Sequence, residues 1–147
     1  MSTRFTLRGP AWLTDRGAYL RTYQATLGAL LTGLAGQVKG EAVSAYSGTR
    51  FAAGFTYRTA LQPYAELRLY QSNPLFPYVE YPTRAHMIYP RNGSVLHWVN
   101  SSGSHFARYV RHPGTKGRNA IDPILQKYAP RFVDICTAAV REAATRA

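Results

Sequence analysis

RAHMIYPRNGSVLHWVNSSGSHFARYVRHPGTKGR, residues 84–118, governs the reading of this chain: short strand-like runs alternate with turn residues, and no acid interrupts them. His86 to Tyr89 and Val95 to Val99 flank Arg91-Asn92-Gly93-Ser94, and Asn-Gly is the strongest short hairpin signal in the chain. That spacing predicts a hairpin joining the two runs. Ser101-Ser102-Gly103-Ser104 supplies a further turn, His105 to Arg111 a further strand, and HPGTKGRN a second loop.

Working outward, two more strand-like runs lie upstream. Phe51, Ala53, Phe55, Tyr57 and Thr59 share one face of the first; in the second, Ala65, Leu67 and Leu69 alternate with Glu66, Arg68 and Tyr70. LQPY turns between them, and QSNPLFPY reads as a loop. From about Asp15 to Tyr46, apolar residues recur at Tyr19, Tyr23, Leu27, Leu30, Leu34 and Val38, one stripe of a long amphipathic helix. Glycines 28, 33, 36 and 40 each cost it up to ~1 kcal/mol relative to alanine. Downstream, Asp122-Pro123 opens a helix whose apolar side is Ile124, Leu125, Tyr128, Phe132, Ile135, Cys136 and Ala139. Pro130 removes a backbone donor and is expected to kink or split that helix. Residues 1–14 read as an extended arm, with Phe5 and Trp12 for docking and Thr14 or Asp15 as a helix cap.

The expected architecture is α+β: an antiparallel sheet of about four to five strands, with a mixed sheet left open, between a long N-terminal helix and a Pro-kinked C-terminal one. Residues 15–147 form a single domain in this reading, since 147 residues fit one ordinary domain.

Charge narrows the function. The net charge is +11, and no acid occurs between Glu80 and Asp122, where all four histidines, five arginines and one lysine lie. Such a block calls for a polyanion or an acidic neighbouring surface. Arginine supplies 15 of the 18 basic residues, which suits bidentate contacts; codon usage in a GC-rich genome explains the preference more economically. Eleven tyrosines, six phenylalanines and two tryptophans exceed what one small core hides, and subunit contacts would accommodate the rest. No apolar run approaches the ~18 residues of a membrane span, and the first residues lack the apolar core of a signal peptide. A soluble protein made in a cytoplasm is expected.

Catalysis finds no support. No nucleophile elbow, phosphate-binding glycine loop or HExxH occurs, and HPGTKG lacks the P-loop spacing. The histidines have no Cys, Asp or Glu within the basic block, so neither metal nor cofactor is expected. Glu66 and Glu80 read as salt-bridge partners ahead of paired catalytic acids, and Cys136 as a small core residue. Arg84, Arg91, Arg108, Arg111, Lys116 and Arg118 are candidates for phosphate contacts, with Tyr89, Trp98 and Tyr109 as stacking surfaces. No helix-turn-helix, zinc finger or RNA-binding strand signature accompanies them. The same cations suit acidic residues of neighbouring subunits equally well.

PYVEYPTRAHMIYPRNGSVLHW (77–98) and FARYVRHPGTKGRNAIDPIL (106–125) together resemble the tail-completion, or neck, protein family of long-tailed bacteriophages, which includes the gene-ten-like tail component of HK-type phages. Tyr78, Val79, Glu80, Thr83, His86, Ile88, Pro90 and Leu96 match the first part of the pattern; Val110, His112, Pro113, Gly114, Thr115 and Lys116 match the last. Pro82 departs from it, standing where the family usually has glycine. The close match covers about a third of the chain. The resemblance implies a non-enzymatic virion protein made in the host bacterial cytoplasm. It would form a ring, six-fold by expectation, between the head connector or stopper and the tail-tube or tail-terminator proteins. Genome double-stranded DNA would pass through the lumen, and no membrane is involved. Arg84, Arg91, Arg108, Arg111, Lys116 and Arg118 would then face DNA or a neighbouring subunit. His112-Pro113-Gly114 would fix a strand exit. Glu80 would pair with Arg84, Arg111 or Lys116, within one subunit or between two. The rival reading is a sequence-independent nucleic-acid-binding protein using residues 84–118.

Overall fold

A computed structural model describes residues 17–62 and 64–146. The arm 1–14 with Phe5 and Trp12, and the cap at Thr14 or Asp15, lie outside the described residues. Helix α1 (Gly17–Ala45) is followed by a 3-10 turn (Ala52–Gly54), strands β1 (Phe55–Ala60) and β2 (Glu66–Gln71), and a short helix α2 (Phe76–Glu80). Strands β3 (His86–Ile88), β4 (Leu96–Asn100), β5 (Gly103–Ala107) and β6 (Val110–His112) come next, and helix α3 (Ile121–Arg146) ends the described chain. The class is α+β, with long helices at both ends and antiparallel strands between. The chain divides into two compact units. One comprises the described residues up to Phe76 together with the described residues from Asn119 onward, and the other is Pro77–Arg118.

In the first unit, α1 and α3 pack along their apolar stripes. Leu27, Leu31, Leu34, Ala35, Val38 and Ala42 are buried on α1, at the steps of three and four that put side chains on one helix face. Ile121, Leu125, Tyr128, Phe132, Ala139 and Ala143 are buried on α3. The sequence stripe is corrected at one position. Leu31 is 0% exposed and Leu30 is 38% exposed, because 3.6 residues per turn brings the fourth residue after Leu27 back under it. Leu31→Ala is therefore expected to cost about 2–5 kcal/mol. Leu30→Ala should cost under about 1 kcal/mol, and chemical denaturation of the two variants checks the difference. Polar contacts tie the helices at one edge: Lys127 Nζ and Tyr128 Oη both donate to Glu41 Oε1, the latter at 2.7 Å, and Arg131 Nη1 donates to Gln37 Oε1 at 2.9 Å. The two bonds from Lys127 and Tyr128 hold the Glu41 carboxyl below its ordinary range. Pro130 lies inside α3 on its exposed side, and the helix is not split there; water can satisfy the carbonyl it leaves unpaired. Asp122 sits in the first turn of α3, which starts two residues earlier than a cap at Asp122 with Pro123 as first helical residue would place it.

β1 and β2 form an antiparallel pair with Tyr57 opposite Leu69 and Thr59 opposite Leu67. Ala65, Leu67 and Leu69 are buried as their alternation predicted. The first run is shorter than expected: Ala52–Gly54 is a 3-10 turn and Ala53 is exposed, because Gln71 Nε2 reaches back to the Phe51 carbonyl at 2.7 Å and folds that stretch against β2. Four aromatic rings close this end of the core. Tyr46 lies 5.6 Å from Phe55 and 5.1 Å from Phe76, and Phe51 lies 5.9 Å from Phe76.

The expected single sheet is corrected. Among the described residues there are six strands in three separate two-stranded ladders, β1-β2, β3-β6 and β4-β5. The Asn92-Gly93 hairpin is also absent, since β3 pairs with β6 and β4 with β5. A tight two-residue turn of the favoured type needs positive φ at both central residues. Gly93 has φ +116 but Asn92 is not positive, and Pro90 ends the ladder-competent run of β3. The turn forms instead at Ser101-Ser102, where Asn100 Oδ1 accepts the Ser102 backbone N–H at 2.9 Å and Gly103 takes φ +114. QSNPLFPY is likewise more than a loop, because α2 begins within it at Phe76.

Candidate functional site

The second unit gathers the residues that the sequence singled out. Its organising feature is a return of the 112–118 segment onto 78–84. Thr83 and Thr115 exchange both backbone hydrogen bonds, at 3.0 and 3.2 Å, and their hydroxyls lie 3.0 Å apart. Thr115 Oγ1 also donates to the Tyr78 carbonyl at 3.3 Å, and the Arg118 N–H donates to the Val79 carbonyl at 2.8 Å. β-branched threonines suit this paired, extended backbone. One turn further, His86 stands opposite His112 in the β3-β6 ladder with the two rings stacked at 5.1 Å. The Gly114 N–H donates to His112 Nδ1 at 3.1 Å, so that nitrogen is the acceptor and bears no proton in this arrangement. His86 Nδ1 meets the Arg84 carbonyl at 2.9 Å, which only accepts, so His86 carries its proton there.

Two glycines make the return sterically feasible. Gly114 has φ +85, and a Cβ there would lie 2.3 Å from the Thr83 carbonyl oxygen. Gly117 has φ +72, and a Cβ there would fall 2.6 Å from the backbone nitrogen of Pro82. Both positions combine a left-handed backbone with contact too close for any side chain. Glu80, 0% exposed, is the only acid of this unit.

Thus Glu80, Thr83, His86, His112, Pro113, Gly114, Thr115 and Lys116 come together along one seam, although two segments far apart in sequence supply them. Arg84, Arg91, Arg108, Arg111, Lys116 and Arg118 are all exposed on the same unit. Tyr89 and Tyr109 are exposed beside each other with ring centroids 6.3 Å apart. The expected flanking of one hairpin by His86 and His97 is replaced by cross-strand stacks: His97 on Phe106 at 4.5 Å, and Trp98 on His105 at 5.4 Å. Among the described residues no three His, Cys, Asp or Glu side chains gather to hold a metal ion. Burial raises the Cys136 thiol pKa, as suits a helix residue at a packed face. No described helix is long and apolar enough to cross a membrane.

Sequence reasoning missed the β4-β5 hairpin as a surface in its own right. Asn92–Ala107 contains no Lys, Arg, Asp or Glu, a signal hidden by the cations on either side. The geometry offers pairing edges, stacked rings and a cationic face, and at the exposed turn of the β4-β5 hairpin Ser102 Oγ lies 3.1 Å from His105 Nε2. No protein-family model, curated protein or solved structure matches this chain.

Proposed function

We propose that this chain is a structural subunit of a bacteriophage head–tail junction, a neck or tail-completion protein. It assembles into a ring between the head connector and the tail tube, and DNA passes along its cationic face. The observation that carries the reading is the seam itself. The two segments on which the resemblance rests are non-contiguous, yet Thr83 pairs with Thr115 and His86 with His112. A second support is the amount of apolar surface left open on so small a unit, with Tyr78, Tyr89, Val99, Phe106 and Tyr109 all exposed; subunit interfaces favour such aromatics. A cyclic interface uses two different patches of each copy and closes when the rotation closes.

A nucleic-acid-binding protein acting free in solution is the second reading, favoured by six exposed cations and the exposed Tyr89–Tyr109 pair on the same unit. A salt-titrated duplex shift assay separates them. The neck reading expects affinity no tighter than about 1 μM near 150 mM salt, the non-specific range. Tight binding by a monomer, with a log–log salt slope near −5 that falls by about one for each Arg→Gln change, would favour the second reading.

A further inference from the structure

We infer that the β4-β5 hairpin is the self-association arm of this protein, and that its occupant is a second copy of the chain; the inference rests on the assembly reading above. An isolated two-stranded hairpin is marginal in water, yet this one stands with apolar groups bare on both faces. His97, Val99, Ser104 and Phe106 lie on one face; Leu96, Trp98 and His105 lie on the other. Val99 is 67% and Phe106 66% exposed, and Val95 and Trp98 are also open. Val95, Val99 and Phe106 expose on the order of 300 Å² on the first face, and Trp98 adds about 100 Å² on the other. Together they amount to about half of the ~800 Å² that each partner gives a standard interface. Among the described residues β4 and β5 pair only with each other, so each leaves an outer edge of backbone donors and acceptors. No lysine, proline or inward charge blunts those edges, the devices by which strands are normally kept from pairing with another chain.

Charge selects the occupant. The whole chain is +11, and Pro77–Arg118 carries six Lys and Arg against one acid. Two copies therefore repel over most approaches within the ~8 Å Debye length of physiological salt. Asn92–Ala107 is free of fixed charge, with Arg91 and Arg108 just outside it, so here two like-charged copies meet least opposition. A nucleic acid has the reverse preference and would be drawn to Arg84, Arg111 and Lys116. The tip is already fixed for docking, with Ser102 Oγ and His105 Nε2 both bonded to Asn100 Oδ1, at 2.6 and 2.9 Å. That lowers the entropy lost on association.

The test uses the full chain and the variants Val99→Lys with Phe106→Lys, Trp98→Ala, and Arg84→Gln with Arg111→Gln as the cationic control. Mass is read by light scattering across concentration, and folding by circular dichroism and melting. The double lysine variant is expected to weaken self-association at least 100-fold and Trp98→Ala at least 10-fold, with melting unchanged, while the cationic control assembles normally. Folded hairpin variants that assemble like the wild type overturn the arm and leave the neck reading standing. Loss of assembly on deleting residues 2–12, with the hairpin variants unaffected, gives the role to the N-terminal arm. Loss of duplex binding by Trp98→Ala with assembly intact assigns the hairpin to base stacking and also overturns the inference. A wild-type protein that stays monomeric throughout defeats both readings.

Discussion

Gly114→Ala is expected to destabilise the seam of the second unit by about 2–5 kcal/mol. The left-handed backbone at φ +85 costs an alanine about 1–2 kcal/mol. Its Cβ, 2.3 Å from the Thr83 carbonyl oxygen, forces a backbone shift worth about 1–3 kcal/mol more. Backbone cannot swing aside as a side-chain end can, so the Thr83–Thr115 bonds and the Gly114 contact to His112 go with it. Hydrogen exchange reads this directly, as faster exchange at the Thr83 and Thr115 amides. Gly93 is the internal control: it has φ +116 with nothing within 4 Å of its Cβ position. Gly93→Ala should cost only the conformational part. Equal effects at the two glycines would mean that the crowding at Gly114 is not real.

Tyr46→Ala is expected to cost about 3–5 kcal/mol, the range for removing a large buried aromatic. Tyr46 is fully buried where α1 ends, and its ring touches Phe51, Phe55 and Phe76. One substitution thus opens a cavity shared by a helix end, a strand start and the α2 start. Against a total of about 5–15 kcal/mol for a typical domain, the loss is a large fraction. A urea midpoint shift with unchanged slope would report it as lost stability of a cooperative unit. A loss below about 1 kcal/mol would contradict the packing described.

How much of this was legible in the sequence follows the range of the interactions involved. Leu27, Leu34 and Val38 on α1, and Leu125, Tyr128 and Phe132 on α3, were placed by spacing alone, because helix periodicity is local. Leu30 and Leu31 were not separable that way: both lie at allowed steps from Leu27, and only packing against α3 chose between them. Ala65, Leu67 and Leu69 were legible for the same local reason. Strand partners were not. Asn92-Gly93 looked like a turn joining its neighbours, but the pairing of His86 with His112 is decided by the docked Gly114 and Gly117 turns, contacts that no local pattern encodes. At the site, the individual residues Thr83, His86, His112 and Gly114 were named from sequence, while their convergence into one seam came from the fold. The cationic block was read as one surface. In the structure a charge-free hairpin divides it, since turns at both ends of residues 92–107 set that segment apart from its cations.

The central claim, that this chain works as an assembled ring, is tested most directly by the mass of the purified full chain in solution. Light scattering behind size exclusion, repeated across concentration and salt, should give a discrete multiple of 16.4 kDa, with a six-fold ring at about 98 kDa. A single 16.4 kDa species at every concentration, binding free duplex tightly at physiological salt, would contradict it.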